Sequence, residues 1–187
     1  MELRDYQQDL YQKTRLSFRK GRKKVLAVAP CGAGKSYLFS EMIKNTKGDA
    51  LVLVHRQELK AQHEKLFRKL GITNVRVETY QTERNHLEEN PTPRLLVVDE
   101  AHLSRSRSWS EIISYYDTHT VGVTAADTVV RVGLLRLQGQ NLQVAVIALD
   151  ALDIGNFLGH GALGDHRRRG TDRLAAPRRR HLDKPGG

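Results

Sequence analysis

The chain has 187 residues, a length that allows one ordinary domain with an extension. Hydrophobic residues make up 39% of it, which is enough to fill a core, and 28% of its residues are charged. Its formal net charge of +10 indicates a polyanionic partner, with nucleic acid favoured over a membrane surface. The single cysteine, Cys31, excludes an internal disulfide and a multi-cysteine zinc site. The charged N-terminus lacks a signal-peptide core, and no apolar run is long enough to span a bilayer, so we expect a cytoplasmic protein without membrane contacts.

Short apolar runs alternate with helical patterns over residues 1–125. Continuous apolar segments at 24–29, 50–54, 95–99 and 120–123 predict strands that are buried on both faces of a parallel sheet. Helices are predicted at 5–19, at 35–44 and at 58–70, where an apolar stripe ends at the C-cap residue Gly71. This alternation predicts a doubly wound α/β domain, whose ligands bind at the carboxyl ends of the strands.

The first predicted strand runs into a glycine-rich turn that opens a helix. The residues are Ala29, Pro30, Cys31, Gly32, Ala33, Gly34, Lys35 and Ser36. Such a turn directs backbone N–H groups and the positive end of a helix at a polyphosphate. Lys35 would contact the β- and γ-phosphates, and the Ser36 hydroxyl would hold Mg²⁺. The strict pattern requires glycine where this chain has Ala29, and the alternative is a glycine turn that binds no ligand.

Two adjacent carboxylates follow the third apolar segment, in the order Asp99, Glu100, Ala101, His102. Asp99 leaves a buried strand and is a candidate ligand for Mg²⁺, directly or through water. Glu100 is a candidate base for the water that attacks the γ-phosphate. Alone the pair could be a plain strand-end turn, but together with the phosphate loop it predicts binding and hydrolysis of a nucleoside triphosphate.

These segments, with the sequence Gly122-Val123-Thr124-Ala125, resemble the first motor domain of superfamily two helicases. The resemblance is to the DEAH-type group related to restriction-enzyme helicase subunits and phage helicases, in which the phosphate loop opens with alanine. It implies a P-loop (RecA-like) α/β fold, ATP and Mg²⁺ as cofactors, and nucleic acid as the partner. DNA is favoured over RNA by analogy alone.

Weaker motifs extend this resemblance to further residues. Gln7 lies in a stretch that resembles the adenine-recognising motif of the family, although a plain N-terminal helix is the alternative. Arg56, and the pair Gln81 and Thr82, lie in stretches that resemble contacts to the nucleic-acid backbone, with solvated loops as the alternative. The resemblance also implies that His102 links the hydrolysis site to the turn at Thr124 and Ala125.

The resemblance covers residues 3–125, and the sequence then changes character. Residues 126–187 contain no Glu, Ser, Tyr, Trp, Met or Cys, and the family continuation Thr-Ala-Thr-Pro is absent after Ala125. We therefore predict a motor domain over 1–125, incomplete at its end, and an unassigned basic tail over 126–187. Residues 142–149 of the tail could form a strand and 148–158 are partly apolar. The arginine clusters at 167–169 and 178–180 could bind phosphates, or the tail could be solvated and largely disordered, so its structure stays uncertain. A third hypothesis is that a frameshift or recombination replaced the native continuation.

Two classes of function remain open. The first is an ATP-dependent nucleic-acid motor, and the second is a nucleotide-dependent binding module that grips nucleic acid without unwinding it. A P-loop ATPase acting on protein is disfavoured by the helicase-like motifs beyond the phosphate loop. The resemblance implies that arginines of a second motor domain complete the nucleotide site. None is recognisable after Ala125, so we expect ATP binding by residues 1–187 with hydrolysis near background and no unwinding. The sequence does not indicate an oligomeric state.

Overall fold

The computed structural model describes residues 2–101, 107–125 and 145–149. Across these ranges helices and strands alternate as predicted. The elements are α1 (Asp5–Arg19), β1 (Lys24–Ala29), α2 (Lys35–Lys44), β2 (Ala50–Val54), α3 (Gln57–Leu70), β3 (Val75–Thr79), α4 (Tyr80–Asn85), β4 (Leu95–Val98), α5 (Arg107–Tyr116), β5 (His119–Ala125) and β6 (Ala145–Leu149).

Within the described residues, six strands form one sheet in the order β3-β2-β4-β5-β1-β6. The pairs among the first five strands are all parallel, whereas β6 pairs antiparallel with β1. The carboxyl ends of β1 to β5 therefore meet at one edge of the sheet. An open α/β sheet of this kind binds its ligands at that edge.

Helices cover both faces of the sheet, which explains why its strands are apolar without alternation. On one face, Leu10 of α1, Phe39 of α2 and Phe67 of α3 pack into one buried cluster with Val52 of β2. On the other face, Trp109 of α5 belongs to a second buried cluster that also receives side chains from β1, β2 and β4. Successive strand residues point to opposite faces, so both sets must be apolar.

The observed bounds of the predicted elements differ from the expected ones by three residues at most. Strand β4 ends at Val98, so Asp99 is the first residue after it, and β5 extends over His119–Ala125. Helix α3 begins at Gln57, and its predicted C-cap is confirmed because Gly71 has a φ of 67°. Elements β3, α4 and α5 were not predicted.

One strand of the tail joins the sheet. The segment 142–149 was considered able to form a strand, within a tail of uncertain or disordered structure, and β6 occupies Ala145–Leu149, beside β1. The partly apolar segment 148–158 falls largely outside the described residues, and the arginine clusters at 167–169 and 178–180 lie wholly outside them. No helix within the described ranges combines the length and apolar character needed to cross a bilayer.

A buried carboxylate connects three elements on the side of the sheet where α4 and α5 lie. Glu83 of α4 is fully buried and accepts hydrogen bonds from both terminal nitrogens of Arg76 and from the Tyr116 hydroxyl. The Asn90 amide also donates to it, at 3.1 Å. Burial, followed by the hydrogen bond to Glu83, raises the pKa of Tyr116 to about 12. The cluster therefore fixes α4 on β3 and α5.

This cluster predicts a pH-dependent stability difference for Tyr116→Phe. Because the folded-state pKa of Tyr116 lies above the ordinary value near 10, its stabilising contribution is complete below pH 10 and is lost as pH rises towards 12. The variant should be less stable than wild type by about 1–3 kcal/mol at pH 8, through loss of a buried hydrogen bond. Urea unfolding should show this difference shrinking by about 1.4 kcal/mol per pH unit above pH 10.

The neighbouring Tyr115 provides a matched control, because its side chain is 52% exposed. Tyr115→Phe should leave the free energy of unfolding within about 0.5 kcal/mol of wild type, with no change between pH 8 and pH 11. A Tyr116→Phe difference that is constant over this pH range would refute the assigned role of the hydroxyl.

Candidate nucleotide site

The phosphate loop lies between the carboxyl end of β1 and the first turn of α2. Gly32 and Gly34 have φ values of 75° and 68°, a backbone region in which side chains other than glycine are strained. A Cβ atom at Gly34 would also lie 2.7 Å from the Gln7 Nε2 atom. As the N-cap of α2, Gly34 offers no side-chain oxygen to the N–H groups of the first turn. Those groups are suited to receive an anion instead.

The acidic pair lies at the end of β4, on the same edge of the sheet. Asp99 is buried, and its Oδ1 accepts a hydrogen bond from the Glu100 backbone N–H at 3.0 Å. Glu100 has a φ of 49°, the left-handed region, which costs a non-glycine residue about 1–3 kcal/mol. Strain of this kind points to a functional position. The left-handed backbone at Glu100 therefore changes the direction of the chain directly after Asp99.

The phosphate loop and the acidic pair face each other. The Lys35 Nζ atom lies 4.0 Å from the Glu100 Oε1 atom, and the two side chains are 11% and 29% exposed. In the sheet order, β5 separates β4 from β1, and Thr124 and Ala125 of β5 pair with Val28 and Ala29. The predicted coupling turn therefore lies beside the start of the phosphate loop. His102, the other predicted member of that link, lies outside the described residues.

The oxygen donors at this edge suit a magnesium ion that is bound together with phosphates. Ser36 is the second residue of α2, and Asp99 presents a carboxylate at the end of β4. In the part of the chain that the structure describes, no group of three or more His, Cys, Asp or Glu side chains is arranged to hold a metal ion. Mg²⁺ is commonly bound by one or two protein oxygens plus substrate phosphates and water, so this sparse donor set fits it.

Gln7 contacts the phosphate loop rather than pointing freely into solvent. Its side chain is buried, and Nε2 donates to the backbone oxygens of Ala33 at 2.8 Å and Gly34 at 3.3 Å. Oε1 accepts from the Arg4 backbone N–H at 3.0 Å. The Tyr6 hydroxyl also donates to the Ala33 oxygen, at 2.9 Å. With both N–H groups in use, the predicted adenine contact would use the remaining lone pair of Oε1.

The predicted nucleic-acid contacts follow β2 and β3, which are neighbours in the sheet. Arg56 is exposed and is the N-cap of α3. Gln81 is exposed in the first turn of α4, while the Thr82 hydroxyl lies 3.0 Å from that of Thr79, the N-cap of α4. Both stretches therefore lie at the same edge of the sheet as the phosphate loop, but on its β3 side.

Sequence reasoning missed His63, which contacts the predicted metal ligand. Its Nε2 atom lies 2.8 Å from the Asp99 Oδ2 atom, and both residues are buried. A signal for burial existed, because residue 63 falls on the apolar stripe of the predicted helix, four residues after Leu59 and four before Phe67. Its partner was not readable, since Asp99 is 36 residues away in the sequence.

Two comparisons with known sequences match parts of this chain. Residues 1–92 match the family model described as "Type III restriction enzyme, res subunit". The chain is 31% identical to the yeast protein "Putative ATP-dependent helicase IRC3" of Saccharomyces cerevisiae, in a match that covers 63% of this chain and 21% of the relative. The chain thus spans about a fifth of the length of that relative.

Solved structures of two helicases and of one ATPase core share the fold. The UvsW helicase of bacteriophage T4 matches with a TM-score of 0.55 and 21% identity, over 76% of this chain and 56% of that one. The Hef helicase domain of Pyrococcus furiosus matches with a TM-score of 0.57 and 20% identity, over 83% and 36%. The SWI2/SNF2 ATPase core of Sulfolobus solfataricus, solved in complex with dsDNA, matches at 0.51 and 15%, over 88% and 37%.

The fold and the family match together define the class of protein. The chain contains an α/β P-loop motor domain of the superfamily two helicase type. Over residues 1–92 it resembles the restriction-subunit type, in agreement with the resemblance predicted from the motifs.

Proposed function

We propose that this chain is a nucleic-acid motor domain that binds ATP with Mg²⁺ at the loop 30–36, with DNA favoured over RNA, and that it hydrolyses the γ-phosphate slowly, near background, as expected from the sequence. The observation that carries the proposal is the 4.0 Å approach of the Lys35 Nζ atom to the Glu100 Oε1 atom. It supports a site in which the Lys35 ammonium binds the phosphates and the Glu100 carboxylate receives the proton of the attacking water. A bound γ-phosphate would have to separate the two side chains, because a gap of 4.0 Å cannot hold a phosphate group.

Each residue near the Lys35–Glu100 pair has a separate role in this proposal. The backbone of residues 30–34 surrounds the β-phosphate, and the Lys35 ammonium neutralises the charge of the β- and γ-phosphates. Mg²⁺ would be held by Ser36 and Asp99 and would neutralise phosphate charge. The Glu100 carboxylate accepts the proton of the attacking water. His102 would link the hydrolysis site to the turn at Thr124 and Ala125.

The nucleic-acid part of the proposal is supported by charge and by position. The formal net charge of +10 favours a polyanion. Arg56, Gln81 and Thr82 follow adjacent strands at the ligand-binding edge, where they could contact successive phosphates of one strand. DNA is favoured because the SWI2/SNF2 core that shares the fold was solved with dsDNA. The alternative is a module that binds nucleotide and nucleic acid without unwinding.

The deciding experiment measures ATP hydrolysis and strand binding by the same protein. ATPase activity is followed without nucleic acid and with single- and double-stranded DNA and RNA, and strand separation is assayed in parallel. Stimulation by DNA with strand separation would support a motor. Binding to DNA without either activity would support the binding module, and failure to bind any nucleic acid would contradict the proposal.

Arg56→Ala should weaken binding of single-stranded DNA by about 3- to 10-fold, because it removes one phosphate contact. The slope of the logarithm of the binding constant against the logarithm of the salt concentration should become shallower by about one. Arg68→Ala is the matched control, since Arg68 is an exposed arginine in the last turn of the same helix. The two positions are separated by about 18 Å along α3 at 1.5 Å per residue. Fluorescence anisotropy at several salt concentrations checks this, and equal losses in both variants would argue against a specific contact at Arg56.

A further inference from the structure

His63 makes a buried hydrogen bond to the carboxylate that the proposed function assigns to Mg²⁺. The Nε2 atom of His63, on α3, lies 2.8 Å from Oδ2 of Asp99, at the end of β4. The two side chains are only 6% and 9% exposed, so water does not compete freely for either partner. Because an ionised carboxylate can only accept, Nε2 is the donor in this pair.

The imidazole ring is held in place by aromatic neighbours. Phe39 meets it edge-on with ring centroids 5.2 Å apart, and Phe67 stacks on it at 6.2 Å. Phe39 lies in α2, one turn after Ser36, the other predicted magnesium ligand. Aromatic contacts of this kind restrict the ring to one orientation, so the N–H group stays directed at Asp99.

The two oxygens of Asp99 are therefore fixed from different directions. Oδ1 accepts from the Glu100 backbone N–H at 3.0 Å, and Oδ2 accepts from His63. Each oxygen has a second lone pair that remains for a metal ion or its water. With only the Glu100 contact, the carboxylate could rotate about its Cβ–Cγ bond, since such terminal torsions are broad.

We propose that His63 is a positioning residue for the magnesium ligand Asp99 and sets the affinity of the site for Mg²⁺. This inference rests on the proposed function, because it requires that Asp99 holds the ion that accompanies ATP. Partners that orient a metal ligand commonly change metal affinity by about 10- to 100-fold when they are removed. A merely structural histidine would instead fill space between α2 and α3.

The experiment measures Mg²⁺ affinity by titration, with a fluorescent ATP analogue held at a fixed concentration. His63→Leu removes the donor at similar volume and should raise the Mg²⁺ concentration for half-maximal binding by about 10- to 100-fold. Binding of the analogue in EDTA should stay unchanged. His63→Gln keeps an N–H donor at a similar distance from the backbone and should restore most of the Mg²⁺ affinity.

Phe67→Leu is the matched control, because it removes an aromatic contact of the same buried cluster and leaves the hydrogen bond to Asp99 in place. It should lower the melting temperature and, because Phe39 still holds the ring and the N–H donor is kept, shift the Mg²⁺ midpoint far less than His63→Leu does. A Mg²⁺ midpoint for His63→Leu equal to that of wild type would overturn the inference, as would a shift that Phe67→Leu reproduces.

Asp99→Asn separates this inference from the proposed function. If Mg²⁺ strengthens binding of the analogue to wild type but not to Asp99→Asn, the proposed metal site stands. The His63 variants then decide the inference alone. If Asp99→Asn retains the full Mg²⁺ effect, the metal assignment fails, and the role of His63 fails with it.

Discussion

Lys35→Ala is expected to abolish measurable binding of ATP with Mg²⁺. The Lys35 ammonium is largely buried at the mouth of the phosphate loop and would donate two or more charge-assisted hydrogen bonds to the β- and γ-phosphates. Hydrogen bonds to charged groups contribute about 1.5–3 kcal/mol each, so losing two weakens binding on the order of 10²- to 10⁴-fold. The loss leaves Glu100 facing the triphosphate without a compensating cation, which adds to the effect.

Isothermal titration calorimetry with ATP and Mg²⁺ checks this expectation. Lys44→Ala is the matched control, because Lys44 is an exposed lysine in the last turn of the same helix and its substitution changes the net charge equally. The control should bind ATP as wild type does. Equal affinities of wild type and Lys35→Ala would reject the assignment of residues 30–36 as a phosphate loop.

The central strands could be predicted from the sequence because a strand that is buried on both faces is continuously apolar. The bounds of β1 and β2, Lys24–Ala29 and Ala50–Val54, agree with the predicted segments. The edge strand β3 was missed, since Val75–Thr79 contains Arg76 and Glu78 and only two of its five residues are buried. An edge strand packs on one side alone, so its pattern resembles that of a polar loop.

Helix α5 was missed although its sequence carries a helical signal. Trp109, Ile112, Ile113 and Tyr116 are buried at a spacing of three and four residues, which is typical of one face of a helix.

The position of β6 is a different case. The sequence allowed a strand at 142–149, but its antiparallel pairing with β1 depends on long-range contacts that composition does not encode. The domain boundary at residue 125 remains a prediction, with β6 already part of the same sheet.

Some contacts of the candidate site could be proposed from the sequence and others could not. The phosphate loop and the acidic pair could be proposed because each is a local pattern at the end of a strand. The Lys35–Glu100 approach follows from the sheet order, which places both strands' carboxyl ends at one edge. The His63–Asp99 contact depends on how α3 packs across the sheet, and the contacts of Gln7 depend on how α1 meets the phosphate loop. Neither packing is set by a local pattern.

Glu100→Gln is expected to separate ATP binding from hydrolysis. The substitution keeps the size of the side chain but removes the carboxylate that would accept a proton from the attacking water. General-base catalysis of this kind contributes about 10²- to 10⁴-fold, so the hydrolysis rate should fall by that factor. Binding of ATP with Mg²⁺ should be kept or become tighter, because Glu100 lies 4.0 Å from Lys35 and repels the γ-phosphate.

The rate is measured under single-turnover conditions, with protein in excess over labelled ATP and with saturating DNA, so that slow hydrolysis by wild type is still resolved. Glu88→Gln, at an exposed carboxylate beyond α4, is the matched control and should hydrolyse ATP as wild type does. The backbone at Glu100 allows a second substitution that also removes the carboxylate. Its φ of 49° is unfavourable for any side chain but is tolerated by asparagine, so Glu100→Asn should keep the turn while withdrawing the side chain by one methylene.

Both substitutions should therefore stop hydrolysis for the same chemical reason while leaving the fold and the phosphate loop intact. Unchanged turnover in Glu100→Gln would remove Glu100 from the mechanism. Loss of ATP binding in Glu100→Gln would instead show that the carboxylate orders Lys35 in the free protein. In that case the pair would be a structural ion pair that the γ-phosphate does not separate.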